Sequence, residues 1–169
     1  MNTDKLKGIA VVAIAEGTKL GTIDRALFDP TTLDLRALQI TGDGRTFIVP
    51  WELVQTIGAD AVMVASSQVA RTAAQGGQFG TLVDLKALQR LKVVDAAGTL
   101  AGTISDVEPD PTSGRVLRVT VSKGGFLGRF AETTTIEAAA IRGIGTDIIT
   151  VADLGTTMLA ETAPKAAIL

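Results

Sequence analysis

The 169 residues contain no cysteine, no histidine and no tyrosine. Those absences exclude thiol nucleophiles, imidazole acid/base chemistry, every Ser-His triad and zinc sites built from Cys and His. Only carboxylates, lysine, serine and threonine remain for chemistry, and without cysteine the redox compartment is not legible from thiol usage. Aromatic residues are scarce, with five Phe and one Trp. The longest uncharged apolar run, residues 8–15, has eight residues, the length of a buried strand and far short of the roughly 20 needed to span a bilayer. Residues 1–18 form no basic, apolar, cleavable leader, so the expectation is a cytoplasmic protein without a membrane span. An excess of charge is missing too, with 16 basic against 18 acidic residues. Divided at Gly76 the balance is 7 to 8 and then 9 to 10, so neither half has the basic bias of a nucleic-acid binder.

What the sequence does have is an internal repeat. Gly17-Thr18-Lys19-Leu20-Gly21-Thr22-Ile23 returns as Gly98-Thr99-Leu100-Ala101-Gly102-Thr103-Ile104, and Asp29-Pro30-Thr31 as Asp110-Pro111-Thr112, all at an offset of 81. Further on, Ile57-Gly58-Ala59-Asp60-Ala61-Val62-Met63-Val64 answers to Ile144-Gly145-Thr146-Asp147-Ile148-Ile149-Thr150-Val151 at an offset of 87. Two blocks in the same order, both with turn glycines at matched places, point to duplication, with six extra residues in the second copy.

Within each copy, short segments rich in Val, Ile and Thr alternate with Gly, Asp and Pro, the pattern of antiparallel β-structure. The first copy predicts strands at 9–15, 21–28, 33–41, 45–49 and 61–64, with turns at Glu16-Gly17, Asp29-Pro30-Thr31-Thr32 and Gly42-Asp43-Gly44. A short helical turn is predicted from Pro50, because proline at a first helical position loses no hydrogen bond. Leu53, Val54 and Ile57 then fall on one helical face. In the third strand the apolar series slips phase, Leu35 then Leu38 and Ile40, as does Val116 then Val119 and Val121, which predicts a β-bulge. The predicted organisation is all-β, two small barrels in tandem: 1–66, a linker at 67–81 with one helical turn at 67–74, 82–152, and a weakly ordered tail at 153–169. Barrels of this size are marginal alone, so they are expected to pack on each other or on a second chain.

Lys5-Leu6-Lys7-Gly8, the Gly17 to Ile23 motif, Val49-Pro50-Trp51 and Ile57-Gly58-Ala59-Asp60-Ala61-Val62 together resemble the PRC-barrel family, and residues 82–151 resemble a second copy. The second copy departs at Glu137-Ala138, where the first has Pro-Trp, so its barrel end is expected to be built differently. The resemblance implies a small β-barrel related to the cytoplasmic domain of the photosynthetic reaction centre H subunit and to the C-terminal domain of the bacterial ribosome maturation factor. Both relatives dock onto larger assemblies and neither is an enzyme in that domain.

Several clusters need weighing for chemistry. The glycines of Gly124-Gly125-Phe126-Leu127-Gly128-Arg129 could cradle phosphate, but strand residues on both sides make a hairpin tip the better reading. The acidic turns at Asp29 and at Glu108-Pro109-Asp110-Pro111 have too few alternating carboxylates for a calcium cage. Pairs such as Asp24 with Asp29 or Asp106 with Asp110 could act as general acid and base only inside a desolvating cleft, and a small barrel is normally filled by side chains. No catalytic residue, cofactor or metal is therefore expected. Trp51 is a candidate either for capping the first core or for a partner hot spot.

The remaining candidates lie in the insertion. Three residues, Gly42-Asp43-Gly44, turn the hairpin in copy one, whereas residues 123–131 do so in copy two. The added residues include Phe126, Leu127 and Phe130. Either they fold back over the second barrel's end, or at least one contacts another chain or the other barrel. The expected function is a non-catalytic interaction or scaffolding module that docks protein partners through surface loops, with a homodimer as one form. The alternative is an RNA- or ribosome-associated factor, for which Lys86, Arg90 and Lys92 are the only local basic cluster.

Overall fold

The computed structural model describes residues 1–72, 77–124 and 132–154. It divides into two compact units, Met1–Leu88 with Val107–Leu117, and Gln89–Asp106 with Arg118–Leu169.

The first sheet contains β1 (Ala10–Ala13), β2 (Thr18–Phe28), β3 (Leu35–Gly42), β4 (Arg45–Pro50), β5 (Val54–Ile57) and β6 (Ala61–Val64), in the order β4-β3-β2-β1-β6-β5. The second contains β7 (Lys92–Asp95), β8 (Leu100–Pro109), β9 (Val116–Lys123), β10 (Glu132–Glu137), β11 (Ile141–Ile144) and β12 (Ile148–Val151), in the order β10-β9-β8-β7-β12-β11. Strand for strand the two orders are identical, which is what duplication requires.

Each sheet is mixed and not purely antiparallel, because β1 pairs with β6, and β7 with β12, in parallel. Parallel neighbours cannot be joined by a tight hairpin. The connection here runs through β2 to β5, a non-local arrangement that alternation along the chain does not encode. The tight turns are where the sequence puts them. Asp43 and Gly44 take φ of 50° and 71° between β3 and β4, the positive-φ pair of a two-residue hairpin turn.

The duplicated Gly-x-x-x-Gly motif carries a bulge in both copies. Val11 pairs with Gly21 and Val12 with Lys19, leaving Leu20 as the extra residue. Likewise Val93 pairs with Gly102 and Val94 with Leu100, leaving Ala101. The phase slip in the third strand also has its counterpart: Phe28 pairs with Leu35 but Leu27 with Ala37, so Arg36 is extra. Bulges of this kind sharpen local twist and bend the strand. The bend lets Leu35, Ala37, Leu38 and Ile40 all turn inward, each buried to within 1%. With Val11, Ile23, Phe28, Leu33, Val49 and Val62 they form the first core. Val93, Ile104, Val119, Val121, Ile149 and Val151 play the same part in the second sheet. Each such side chain stabilises by roughly 1.5–3 kcal/mol.

The helical turn at Pro50 is shorter than the apolar spacing suggested. Pro50 is the residue before it, Trp51–Leu53 make a single 3-10 turn, and Val54 already begins β5. Val54, Thr56 and Ile57 pair with Val64, Met63 and Val62. Two β-branched residues at each end of that ladder prefer the pleated surface, so Val54 and Ile57 are strand residues and not a helical face. The second copy makes the same turn, Ala138–Ala140 after Glu137, followed by β11. The expected difference at that end is therefore confined to residue identity, Glu137-Ala138 where Pro50-Trp51 stand.

The stretch read as a linker with one helical turn, 67–81, and the residues just after it contribute structure. Ser67–Val69 and Gly77–Phe79 are 3-10 turns, the first within the predicted helical turn. Arg71 then pairs with Ile48 on the outer side of β4, and Val83 with Phe28 of β2. A four-residue helix, α1 (Leu85–Leu88), follows. The weakly ordered tail predicted at 153–169 lies outside the described residues from 155 onward.

Candidate docking surface

The acidic turns are built alike. The Asp29 carboxylate accepts from the Thr31 N–H at 2.8 Å and from the Thr31 hydroxyl at 2.6 Å, and its carbonyl accepts from the Leu33 N–H at 2.8 Å. The Asp110 carboxylate accepts from the Thr112 and Ser113 N–H groups at 2.9 and 2.7 Å and from the Ser113 hydroxyl at 3.1 Å. These donors favour the ionised form. For Asp29 the Thr31 hydroxyl, and for Asp110 the Ser113 amide, does most to hold the carboxyl below its ordinary value of 3.8. Carboxylates engaged in turn closure are poorly placed to cage a cation. Among the described residues, no group of three or more acidic side chains is arranged to hold a metal.

The lowered pKa values fix the sign of a pH effect. A carboxyl depressed in the folded state contributes stability above its unfolded pKa and loses it as pH falls through the folded one. Changing Asp29 and Asp110 together to Ala is therefore expected to lower stability at pH 7, with the gap to wild type closing as pH falls from about 5 to about 2. Thermal melts at a series of pH values measure this. A gap that stays constant to pH 2 would show that the ionised turns contribute nothing.

Within the first unit, the β2–β3 turn and residues 107–117 meet through main-chain groups. Leu35 N–H donates to the Gly114 carbonyl at 2.8 Å, and Val116 N–H donates to the Asp34 carboxylate at 2.9 Å. Gly114 has φ of 76°, and a Cβ there would lie 2.4 Å from the Leu35 carbonyl oxygen and 2.7 Å from Cδ1 of Trp51. Only a residue without a side chain fits so close to the indole. Copy one has Leu33 at the matched position, with φ of 66° and fully buried. Trp51 itself is 3% exposed. Its Nε1 has no hydrogen-bond partner among the described residues, so the ring is held by packing.

Beside it lies a cleft of about 470 Å³, lined among others by Asp29, Asp34, Arg36, Trp51, Glu52, Phe79 and Arg115. Its three acids meet the composition needed for carboxylate chemistry but not the physics. Asp29 is engaged with Thr31 and depressed in pKa, the reverse of a general acid. Asp34 is committed to Val116, and Glu52 is exposed. A second cleft, of about 240 Å³, contains Arg25 between Asp24 and Asp84 at 3.3 and 3.1 Å. Gln39 also donates to Asp24, at 3.0 Å. Asp24 and Asp29 thus have separate partners and form no pair. An ion pair this exposed is worth little.

Of the other candidates, Phe126, Leu127 and Phe130 lie outside the described residues, as does the glycine loop beyond Gly124. Lys86 belongs to the first unit, Arg90 and Lys92 to the second. Among the described residues no helix is long and apolar enough to cross a membrane. The strand expected after the hairpin at 123–131 is the end strand β10, whose pairing with β9 runs unbroken from Glu132 to Glu137.

No curated protein matches the chain. The family model of the PRC-barrel domain matches residues 1–70 and again 81–156. These are the two copies found by the repeat, each with the six-stranded sheet and the 3-10 turn described above. The chain accordingly belongs to the PRC-barrel family, with two PRC-barrel domains in tandem.

Proposed function

We propose that this non-catalytic PRC-barrel module is an adaptor, holding protein partners through its surface loops and able to do so as a homodimer. Its working parts are a first barrel at 1–66, a connecting stretch at 67–81 and a second barrel at 82–152. The family and the lack of His, Cys and Tyr argue against chemistry. The observation that carries the reading is the difference between the copies. Their strand orders are identical, yet the two residues between β3 and β4 are answered by eight between β9 and β10, residues 124–131, with three large apolar side chains. A connection that only crosses solvent needs neither the length nor the apolar surface.

Changing Phe126, Leu127 and Phe130 together to Ser tests it. Self-association or partner capture is expected to fall at least tenfold, roughly the effect of losing one well-buried apolar contact. The melting temperature is expected to stay within a few degrees. A large loss of stability with association unchanged would assign the loop to the barrel's own core. Trp51, held inside the first unit, is proposed as support for this architecture and not as the contact.

A further inference from the structure

We infer that the outer edge of β10 is a docking strand for an extended polypeptide with an uncharged β-branched centre and basic residues at either end. The inference rests on the adaptor reading and names a second surface for it. β4 and β10 are the matched end strands of their sheets. Ile48 of β4 sits opposite Gln39, and Thr135 of β10 opposite Thr120. The outer side of Ile48 is occupied: its N–H donates to the Arg71 carbonyl at 2.7 Å, and its carbonyl accepts from the Arg71 N–H at 2.8 Å. What this edge takes in the first copy is thus an extended chain, bound by both main-chain groups of one residue. In the second copy Thr135 has no such partner among the described residues.

Free edges are normally blunted by lysine, proline, a bulge or a cover. β10 has none of the first three: Glu-Thr-Thr-Thr-Ile-Glu pairs with β9 without a register shift. Thr133 and Thr135 are exposed, as are Glu132 and Glu137 at the two ends. Such an edge suits strand addition, in which main-chain bonds give affinity and side chains give selectivity. The terminal carboxylates select the occupant. A second copy of β10 would bring four carboxylates to one short ladder, where like charges repel. A segment with Lys or Arg at each end places opposite charges there instead.

The test uses the full chain, isotope-labelled, and two synthetic peptides, Lys-Thr-Val-Thr-Val-Lys, whose lysines have the spacing of Glu132 and Glu137, and the same core with Glu at both ends. The lysine peptide at saturation is expected to slow amide exchange at Thr135 at least tenfold. It should bind at least tenfold more tightly than the glutamate peptide at low salt, with the difference shrinking as salt rises. Thr135→Pro removes the outward N–H, a change an edge strand tolerates, and should abolish binding with the rest of the spectrum unchanged. Thr135→Val should bind as wild type. The inference is overturned if saturating peptide leaves the β10 amides unprotected, or if Thr135→Pro binds as well as wild type. It is also overturned if Thr135 becomes protected with protein concentration alone, which would make the occupant a second copy. If Thr135→Pro captures partners normally while the Phe126, Leu127 and Phe130 variant does not, the adaptor reading stands and the docking strand falls.

Discussion

Replacing Gly102 with alanine is expected to destabilise the second barrel by about 2–6 kcal/mol. Two costs add. Gly102 has φ of 137°, a conformation that strains any residue with a side chain by about 1–3 kcal/mol. The added Cβ would also lie 2.2 Å from the Ser122 carbonyl oxygen. That oxygen belongs to the backbone of β9, so relief requires moving a strand and not rotating a side chain, at a further cost of about 1–3 kcal/mol. Gly77→Ala is the control, because a Cβ there meets nothing within 4 Å. Denaturant unfolding of the two variants measures the contrast, and a Gly102→Ala protein as stable as Gly77→Ala would mean that β8 and β9 do not approach in this way.

Trp51→Ala is expected to cost about 3–5 kcal/mol, as truncation of a large buried aromatic does. Its indole lies beneath Gly114 and 3% exposed, so alanine would leave a cavity bounded by backbone that has little freedom to collapse. Trp51→Phe should cost less than half as much. Phenylalanine keeps most of the ring, and the indole N–H it removes has no hydrogen-bond partner among the described residues, so no bond is lost. Equilibrium unfolding separates the cases. If Trp51→Phe were as damaging as Trp51→Ala, the N–H would have to matter, and the ring's role could not be packing alone.

The repeat was legible because glycine and aspartate are demanded by backbone geometry and leave fixed marks. Asp29 and Asp110 both close their turns by accepting from the amide two residues on, Thr31 and Thr112. Gly21 and Gly102 both stand where a Cβ would strike a neighbouring strand, at 2.7 and 2.2 Å. The phase slip at Leu35 reported the bulge at Arg36, since burial on one face forces a visible break in alternation. β5 was illegible for the opposite reason. Four residues, Val54-Gln55-Thr56-Ile57, are too few to separate a helical spacing from a strand, and the deciding contact, β6, is supplied by tertiary pairing. The parallel pairing of β1 with β6 is likewise a long-range choice. As for the site, Trp51 stood out by its chemistry, and its burial under Gly114 depends on a residue 63 positions away. The edge of β10 had no chemical signature at all, because the lack of a main-chain partner for Thr135 among the described residues depends on tertiary pairing.

The most direct test of the adaptor reading is capture from an extract of the native host, comparing wild type with the Phe126, Leu127 and Phe130 to Ser variant, with and without ribonuclease, at low and moderate salt. Wild type is expected to retain a defined set of proteins after ribonuclease and at moderate salt, and the variant, folded and melting within a few degrees of wild type, to lose them. Retention of RNA by both proteins, weakening steeply with salt as phosphate contacts do, and no protein surviving ribonuclease, would contradict it.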